Sequence, residues 1–429
     1  MKREYKSYDA PTQCAEKMAL WAMEDNHGFC FRGNGWAKHF DFRFNAFAGM
    51  GLSSEIIPFE KAAEFIHTCD DFVITHLCYD LKNRLERLKS KNPDKIDFPE
   101  FGLYSPLWTI RLNGDSLEIG WPSDLATECD ADLIFRQIVE IIPTSAERSL
   151  SELVPEVSKA DYLRKIQQCQ QHIQRGDIYQ ANVCQEFSWN VQIMNPAAEF
   201  NRGFHQNPNP FSVLYRFGGC YCISWSPERF LTFFDSHVLS QPMKGTSPRG
   251  LSEAEDRQHY NQLKSSEKDR RENVMIVDMV RNDLSHYAVP GSVKVPELYA
   301  IEAYPRVHQM HSTVKATLKP NTRLFDALLK AFPMGSMTGA PKIKAMEIID
   351  EIENSKRGLF SGTIGFITPD KSADFNVIIR SLIYNESAKS LSCHVGGGIT
   401  ALSDAESEYA ESLVKFEPIR QLLEPIAVV

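Results

Sequence analysis

Two strand-like apolar runs, 229–234 and 238–243, lie in SPERFLTFFDSHVLSQPMKGTSPRG (226–250), separated only by the turn formers Asp235, Ser236 and His237. So short a link allows only antiparallel pairing, which commits this part of the chain to an antiparallel sheet. Centred on Ser236, the hairpin sets Glu228 opposite Lys244. Directly opposed residues point to one face with β-carbons about 5 Å apart, so an acid and an amine would converge there. The same two residues also read as an ordinary cross-strand ion pair, and a one-residue slip would send them to opposite faces.

The chain has 429 residues, enough for two or three domains or one large one. A net charge of −9, with acids and bases interspersed, argues against nucleic acid or an anionic membrane as partner. No apolar run approaches the ~20 residues of a membrane span, and Met1 to Tyr5 lacks the apolar core of a signal peptide. A cytoplasmic location is expected. The ten cysteines show no paired Cys-x-x-Cys spacing for zinc, and several, such as Cys78 and Cys184, stand in apolar stretches as free buried thiols would. Cys220, in GGCYC, lacks the elbow of a nucleophile and reads as a packed strand residue.

Residues 1–145 carry strand-like runs at Phe29 to Phe31, Phe40 to Phe47 and Leu107 to Leu112, and a predicted amphipathic helix from Thr75 to Leu88. With no cluster of acids, bases or ligands, this region is expected to be structural or regulatory. The polar stretch 143–152 marks the expected boundary before a domain at 157–420. That domain opens with a helix carrying Leu163, Ile166, Cys169 and Ile173 at helical spacing and stopping at Gly176. A strand follows in which Gln180 shares a face with Ile178, Asn182 and Cys184, open to a ligand or to solvent.

After the hairpin comes a helix with Val274, Val277, Val280 and Leu284 on one stripe, and then a strand, a connection and a strand bearing His308. Pro341 takes the first position of another helix, and LFSGTIGFI and FNVIIRSLIY form a second hairpin that places Arg380, in need of an anion, in an apolar run. Ser403 and Glu406 make a capping box for the last helix. Within it Glu408, Glu411 and Lys415 fall inside an arc of about 60°, beside the apolar stripe of Tyr409, Leu413, Phe416 and Leu423. Two carboxylates at the edge of a core need a cation or another partner to neutralise them, and oxygen ligands suit Mg²⁺. A Glu411–Lys415 salt bridge would account for only one of them.

GDIYQAN, SPERF, PMKGTSPRG, SEKDRRENVMIVDMVRNDL, the VH of VHQMHS, GSMTGAPKIKAMEIIDE, SGTIGF, IIRSL and GGGITALSDAESEYAES together resemble the chorismate-utilising enzymes, in family order. Within them the closest likeness is to the aminodeoxychorismate synthase component I branch. Relatives that add water to the ring carry a lysine base where this chain has Gln180, and anthranilate synthases carry Ala where it has Lys244. The resemblance implies an α/β (α+β) fold, a large antiparallel β-sandwich with helices outside. It implies Lys244 as nucleophile and Glu228 as general acid in converting chorismate and ammonia to 4-amino-4-deoxychorismate. It also implies Mg²⁺ held by Glu272, Glu408 and Glu411, with substrate held by Gln180, Thr246, His308, Arg380, Lys415 and the amides of Gly396, Gly397 and Gly398. Because no glutaminase triad is recognisable, a glutamine amidotransferase subunit is the implied partner. The alternatives are anthranilate synthase component I and a non-catalytic chorismate-binding regulatory subunit.

Overall fold

The computed structural model of the chain describes residues 2–33, 44–143, 148–151, 153–155 and 157–424. Among these described residues the strands form two antiparallel sheets, of thirteen and nine strands. The larger runs from Arg3–Asp9 through Ser116–Pro122, Pro106–Asn113, Ala46–Leu52, His27–Arg32, Phe211–Phe217, Cys220–Ser226, Ser381–Asn385, Ser390–Ile399 and Gln180–Met194 to Gly339–Ala340. The smaller contains Met243–Pro248, Val307–Thr317, His237–Gln241, Arg229–Phe234, Ala373–Asn376, Thr363–Ile367, Val73–Leu77 and Phe101–Tyr104. Side chains from both sheets, among them Phe29, Phe47, Ile74, Tyr215, Ile364 and Phe366, share one buried cluster, so the sheets pack face to face as a sandwich. Helices cover the outer faces, Cys14–Ala22, Glu128–Glu140 and Ala405–Leu423 on the larger sheet and Phe59–Thr68, Glu267–Ser285 and Leu324–Ala331 on the smaller.

Residues on either side of the expected boundary share these sheets: His27–Arg32 pairs with Phe211–Phe217, and Val73–Leu77 with Thr363–Ile367. Much of the boundary stretch itself, residues 144–147 and 152, lies outside the described residues, as does the start of the Phe40 to Phe47 run. Among the described residues no helix is long and apolar enough to cross a membrane.

The expected helix over Thr75 to Leu88 is instead the strand Val73–Leu77, a 3₁₀ turn Tyr79–Leu81 and a short helix Lys82–Leu85. Val73–Leu77 has strands hydrogen-bonded on both edges and is buried throughout. Burial on both faces erases the alternation that marks a strand in sequence, and the β-branched Val73, Ile74 and Thr75 suit that setting. FNVIIRSLIY likewise divides. Ala373–Asn376 pairs with Thr363–Ile367 as expected, but Ser381–Asn385 has crossed to the other sheet, with Arg380 in the crossover at φ +52°.

The central hairpin corrects the expected register. Its turn is the two residues Asp235 and Ser236, with Asp235 at φ +51°, and Phe234 pairs with His237. A bulge then brings Arg229 opposite Gln241, so the next position sets Glu228 by Pro242 and not opposite Lys244. Pro242, with no N–H to give, interrupts the strand, and Lys244 belongs to the following strand, Met243–Pro248, paired with Val307–Thr317.

Candidate active site

Lys244 stands in a second bulge, between the pairs Met243–His311 and Thr246–Gln309. Gly245 forms the bend at φ +90°, and a β-carbon there would lie 2.9 Å from that of Asp269, so both the backbone angle and the space require glycine. Gln309 braces the bend by donating Nε2–H to the Gly245 carbonyl at 2.8 Å and accepting the Thr246 hydroxyl at 2.9 Å. Thr246 is thus engaged by Gln309. The bend turns Lys244 toward the larger sheet, where its Nζ is 3.1 Å from the point a β-carbon on Gly398 would occupy.

Glu228, just before the strand Arg229–Phe234, lies within electrostatic reach of this amine without closing to an ion pair. It is 5% exposed, and burial pushes its carboxyl up to about 7, against the opposing pull of Ser336, Lys244 and the Met243 backbone amide. Sequence reasoning missed Ser336. Its hydroxyl is buried without a close hydrogen-bond partner on the turn Gly335–Met337, and the backbone carbonyl of Ser336 accepts from Asn182 Nδ2 at 3.1 Å. A buried, orphaned hydroxyl facing a protonatable carboxyl leaves no signature in a one-dimensional pattern.

The last helix supplies the opposite wall. Phe416 stacks on Phe187 with centroids 4.0 Å apart, a contact worth about 0.5–1.5 kcal/mol beyond its buried area. Ser412 accepts from Gln185 at 2.9 Å. These anchors hold the preceding turns against Ser390–Ile399, where Lys415 Nζ donates to the Gly396 carbonyl at 2.9 Å and Glu408 Oε2 lies 3.2 Å from where a Gly397 β-carbon would be. The helix cap falls one residue later than expected, at Asp404, whose carboxylate accepts the Ser407 amide, so Ser403 and Glu406 form no capping box. Ser403 donates to Glu408 at 2.8 Å instead, and Glu406 pairs with Lys159.

Glu408 is buried, Glu272 has 16% of its side chain exposed, and Glu411 is half exposed and paired with Lys415 at 2.8 Å. Among the described residues no three ligand side chains are gathered closely enough to hold a metal ion as they stand. What lies between these carboxylates is an ammonium: Lys268 Nζ is 3.9 Å from Glu272 and 3.8 Å from Glu408, and is also drawn toward Glu411. Burial pushes the Glu272 carboxyl up, with Glu408 adding repulsion, while Lys244 and Lys268 oppose both. Hard oxygen donors converging on a cation fit a divalent metal of the Mg²⁺ type, with Lys268 as the stand-in. The i,i+4 spacing of Lys268 and Glu272 is legible in the sequence, whereas the approach of Glu408 from another helix is not.

Arg380 donates to the Lys415 carbonyl at 3.0 Å and has no carboxylate partner among the described residues. It lines a small cleft with Lys415, Arg306 and Trp225, a cationic setting for an anion. Gln180 is 3% exposed, not solvent-facing, with its amide 3.9 Å from the Met279 sulfur. His308 is also buried, but its contacts run to Asp256, at 3.0 Å from Nε2, and to the edge of the Tyr260 ring. Neither contact belongs to the carboxylate–ammonium cluster, nor does the Met279 contact of Gln180, whereas Lys244, Glu272, Glu408, Glu411 and Lys415 are linked to it by ion pairs or electrostatic influence. Cys220 is buried and its thiol is pushed up to about 11 by burial, which leaves it inert. Another cavity, between Phe31, Phe47, Phe211 and Phe366, contains none of the expected site residues.

The chorismate binding enzyme family matches residues 29–421 of the chain. Aminodeoxychorismate synthase component 1 of Salmonella typhimurium is 37% identical over 352 residues, covering 81% of this chain and 75% of that protein. Anthranilate synthase component 1 of Saccharolobus solfataricus is 32% identical, covering 81% of this chain and 79% of that one. Among solved structures, anthranilate synthase component I from Streptococcus pneumoniae superposes with a TM-score of 0.75 at 23% identity, covering 97% of this chain and 91% of that chain, a likeness of fold.

Proposed function

The chain belongs to the chorismate binding enzyme family, and from that premise we propose that it is an aminodeoxychorismate synthase component 1, converting chorismate and ammonia to 4-amino-4-deoxychorismate. The observation that carries this reading is a buried Glu228 carboxyl within electrostatic reach of the Lys244 amine; burial raises that carboxyl to about 7 and so keeps it available as an acid near neutrality. Lys244 attacks C2 of the ring through its nitrogen lone pair. The bond from C4 to its hydroxyl breaks as Glu228 delivers a proton, and water leaves. Ammonia then attacks C4 and expels the lysine from C2, and the surplus proton returns to Glu228. Gln180 is buried and its amide is not basic near neutrality, so it offers no base to activate water against the ring.

Bound Mg²⁺ would supply fixed positive charge for a substrate carboxylate, with Glu272, Glu408 and Glu411 as its holders in place of Lys268. Arg380 and Lys415 would orient the second carboxylate, with the Gly396 to Gly398 backbone beside it. Ammonia would come from a glutamine amidotransferase partner. The ten unpaired cysteines fit a reducing, cytoplasmic setting.

Product identification by chromatography tests the reading, first with chorismate, Mg²⁺ and ammonium, then with glutamine and an amidotransferase partner. The purified chain is expected to form 4-amino-4-deoxychorismate with ammonium salts and not with glutamine alone. Fluorescent anthranilate as the main product would establish the rival reaction instead, and no conversion under either condition would favour a binding subunit.

A further inference from the structure

Away from the carboxylate–ammonium cluster, Glu186 and His394 stand opposite each other on the paired strands Gln180–Met194 and Ser390–Ile399. Their side chains are 2% and 6% exposed. Each leaves one polar atom unpartnered, Oε2 of Glu186 and Nε2 of His394, and these two atoms are 3.9 Å apart. Both residues line a void with room for about one water-sized molecule, bounded also by Asp94, Lys95, Lys356, Arg357 and Gly358.

Hydrogen-bond accounting fixes what faces that void. Ser392 spends its one hydroxyl proton on Glu186 Oε1, at 2.6 Å. The Ser392 oxygen, 3.3 Å from His394 Nδ1, can then only accept, so the imidazole proton resides on Nδ1 and Nε2 presents a lone pair. Burial holds this imidazole below its usual range, which keeps it neutral. The ring of Phe360 stacks on it, with centroids 5.1 Å apart. Two acceptors, one of them an anion, therefore converge on the void.

No lysine or arginine lies within ion-pair distance of Glu186 among the described residues; its one ionisable neighbour at that range is the neutral His394. Arg357, on the wall of the void, is committed to Glu353 at 2.6 and 2.9 Å and to the carbonyls of Met337 and Asn182, both at 2.7 Å. A buried carboxylate without a counter-charge is costly. The occupant must donate hydrogen bonds to both an oxygen and a nitrogen and also bring positive charge. Potassium answers the charge but prefers oxygen ligands to an imidazole nitrogen. Water answers the hydrogen bonds but not the charge.

We propose that the Glu186–His394–Ser392 void binds an ammonium ion. Gly398, beside the Lys244 amine, lies four residues along the same strand from His394, so the void opens on the inner sheet face that also borders Lys244, about 13 Å away along the strand. The assignment rests on the void's own residues and does not depend on the proposed reaction.

The test is thermal unfolding of the full chain, without chorismate, titrated with ammonium chloride against potassium and tetramethylammonium chlorides at fixed ionic strength and pH. A saturable rise in Tm specific to ammonium is expected, and Glu186→Gln and His394→Phe should each abolish it. Glu186→Gln keeps the side-chain volume; should it still fail to fold, Ser392→Ala, which frees the imidazole orientation, is expected to weaken the response at least several-fold. An equal response to potassium would overturn the ammonium assignment. Absence of any specific response in the parent protein would overturn the site, leaving water as occupant. A response that emerges only in Lys356→Met or in Lys95→Met would do the same, with that lysine's ammonium as the counter-charge.

Discussion

Replacing Glu228 with Gln separates what this carboxyl does for catalysis from what it costs the fold. Burial raises it from an ordinary value of 4.5 to about 7. At about 1.4 kcal/mol per pH unit, the native protein carries a penalty of ~3 kcal/mol wherever this group is ionised in both folded and unfolded chains. The sign follows from proton uptake. Below about pH 4.5 both states are protonated and the penalty is absent. Between 4.5 and 7 the unfolded chain has released its proton while the folded one retains it, so stability falls as pH rises, and above about 7 the loss is complete. Gln cannot ionise. Glu228→Gln should therefore match the parent near pH 4.5 and exceed it by ~3 kcal/mol at pH 8, measured as the difference between urea unfolding curves of the two proteins at each pH. Comparison at matched pH cancels the titration of every other group. Activity should move the other way: the parent should lose rate as pH rises through about 7, and the variant should lose roughly 10²–10⁴-fold at all pH values. A variant less stable than the parent by the same margin at both pH values would refute the reasoning, because it would mean that Glu228 is ionised and held by Lys244.

Other consequences are open to direct measurement. Chorismate without ammonia should leave a covalent adduct on Lys244, seen in intact-protein mass spectra as a gain of chorismate less one water; Lys244→Ala should remove it, and an adduct mapped elsewhere would exclude Lys244 as nucleophile. Chelation with EDTA should abolish turnover and added Mg²⁺ restore it, with Glu411→Ala inactive but folded by circular dichroism; full activity in excess chelator would eliminate the metal. Arg357→Leu strips Glu353 of its buried partner and frees the Asn182 and Met337 carbonyls, so urea unfolding should show a loss of roughly 3–5 kcal/mol. A loss under about 1 kcal/mol would mean that the pair is solvated.

Residue type, spacing and local periodicity carried much of the site into the sequence. The Glu408, Glu411 and Lys415 arc follows from helical geometry alone, and so does the helix Glu267–Ser285 that carries Glu272. Turn chemistry announced the hairpin at Asp235 and Ser236. Each of these depends on neighbours a few residues apart, which is the range over which backbone geometry is nearly fixed. The capping position was displaced by one residue because Ser403, Asp404 and Glu406 all satisfy the local rule, and the demand of buried Glu408 for a donor is not local.

Tertiary structure decided the rest. A plain hairpin register would set Glu228 opposite Lys244, yet a bulge and a proline separate them; Gln309 from another strand holds the bend beside Lys244, and Ser336 from a distant turn faces Glu228. Val73–Leu77 became a strand because strands on both edges, brought together from far apart in the chain, completed its hydrogen bonds. Lys268 came to lie between two acids because one of them belongs to a helix 140 positions away. The sequence by itself determined which chemical groups were present and which face of each element bore them. Distance, burial and protonation were set by packing, since all three depend on the low-dielectric surroundings that only the assembled sheets and helices create.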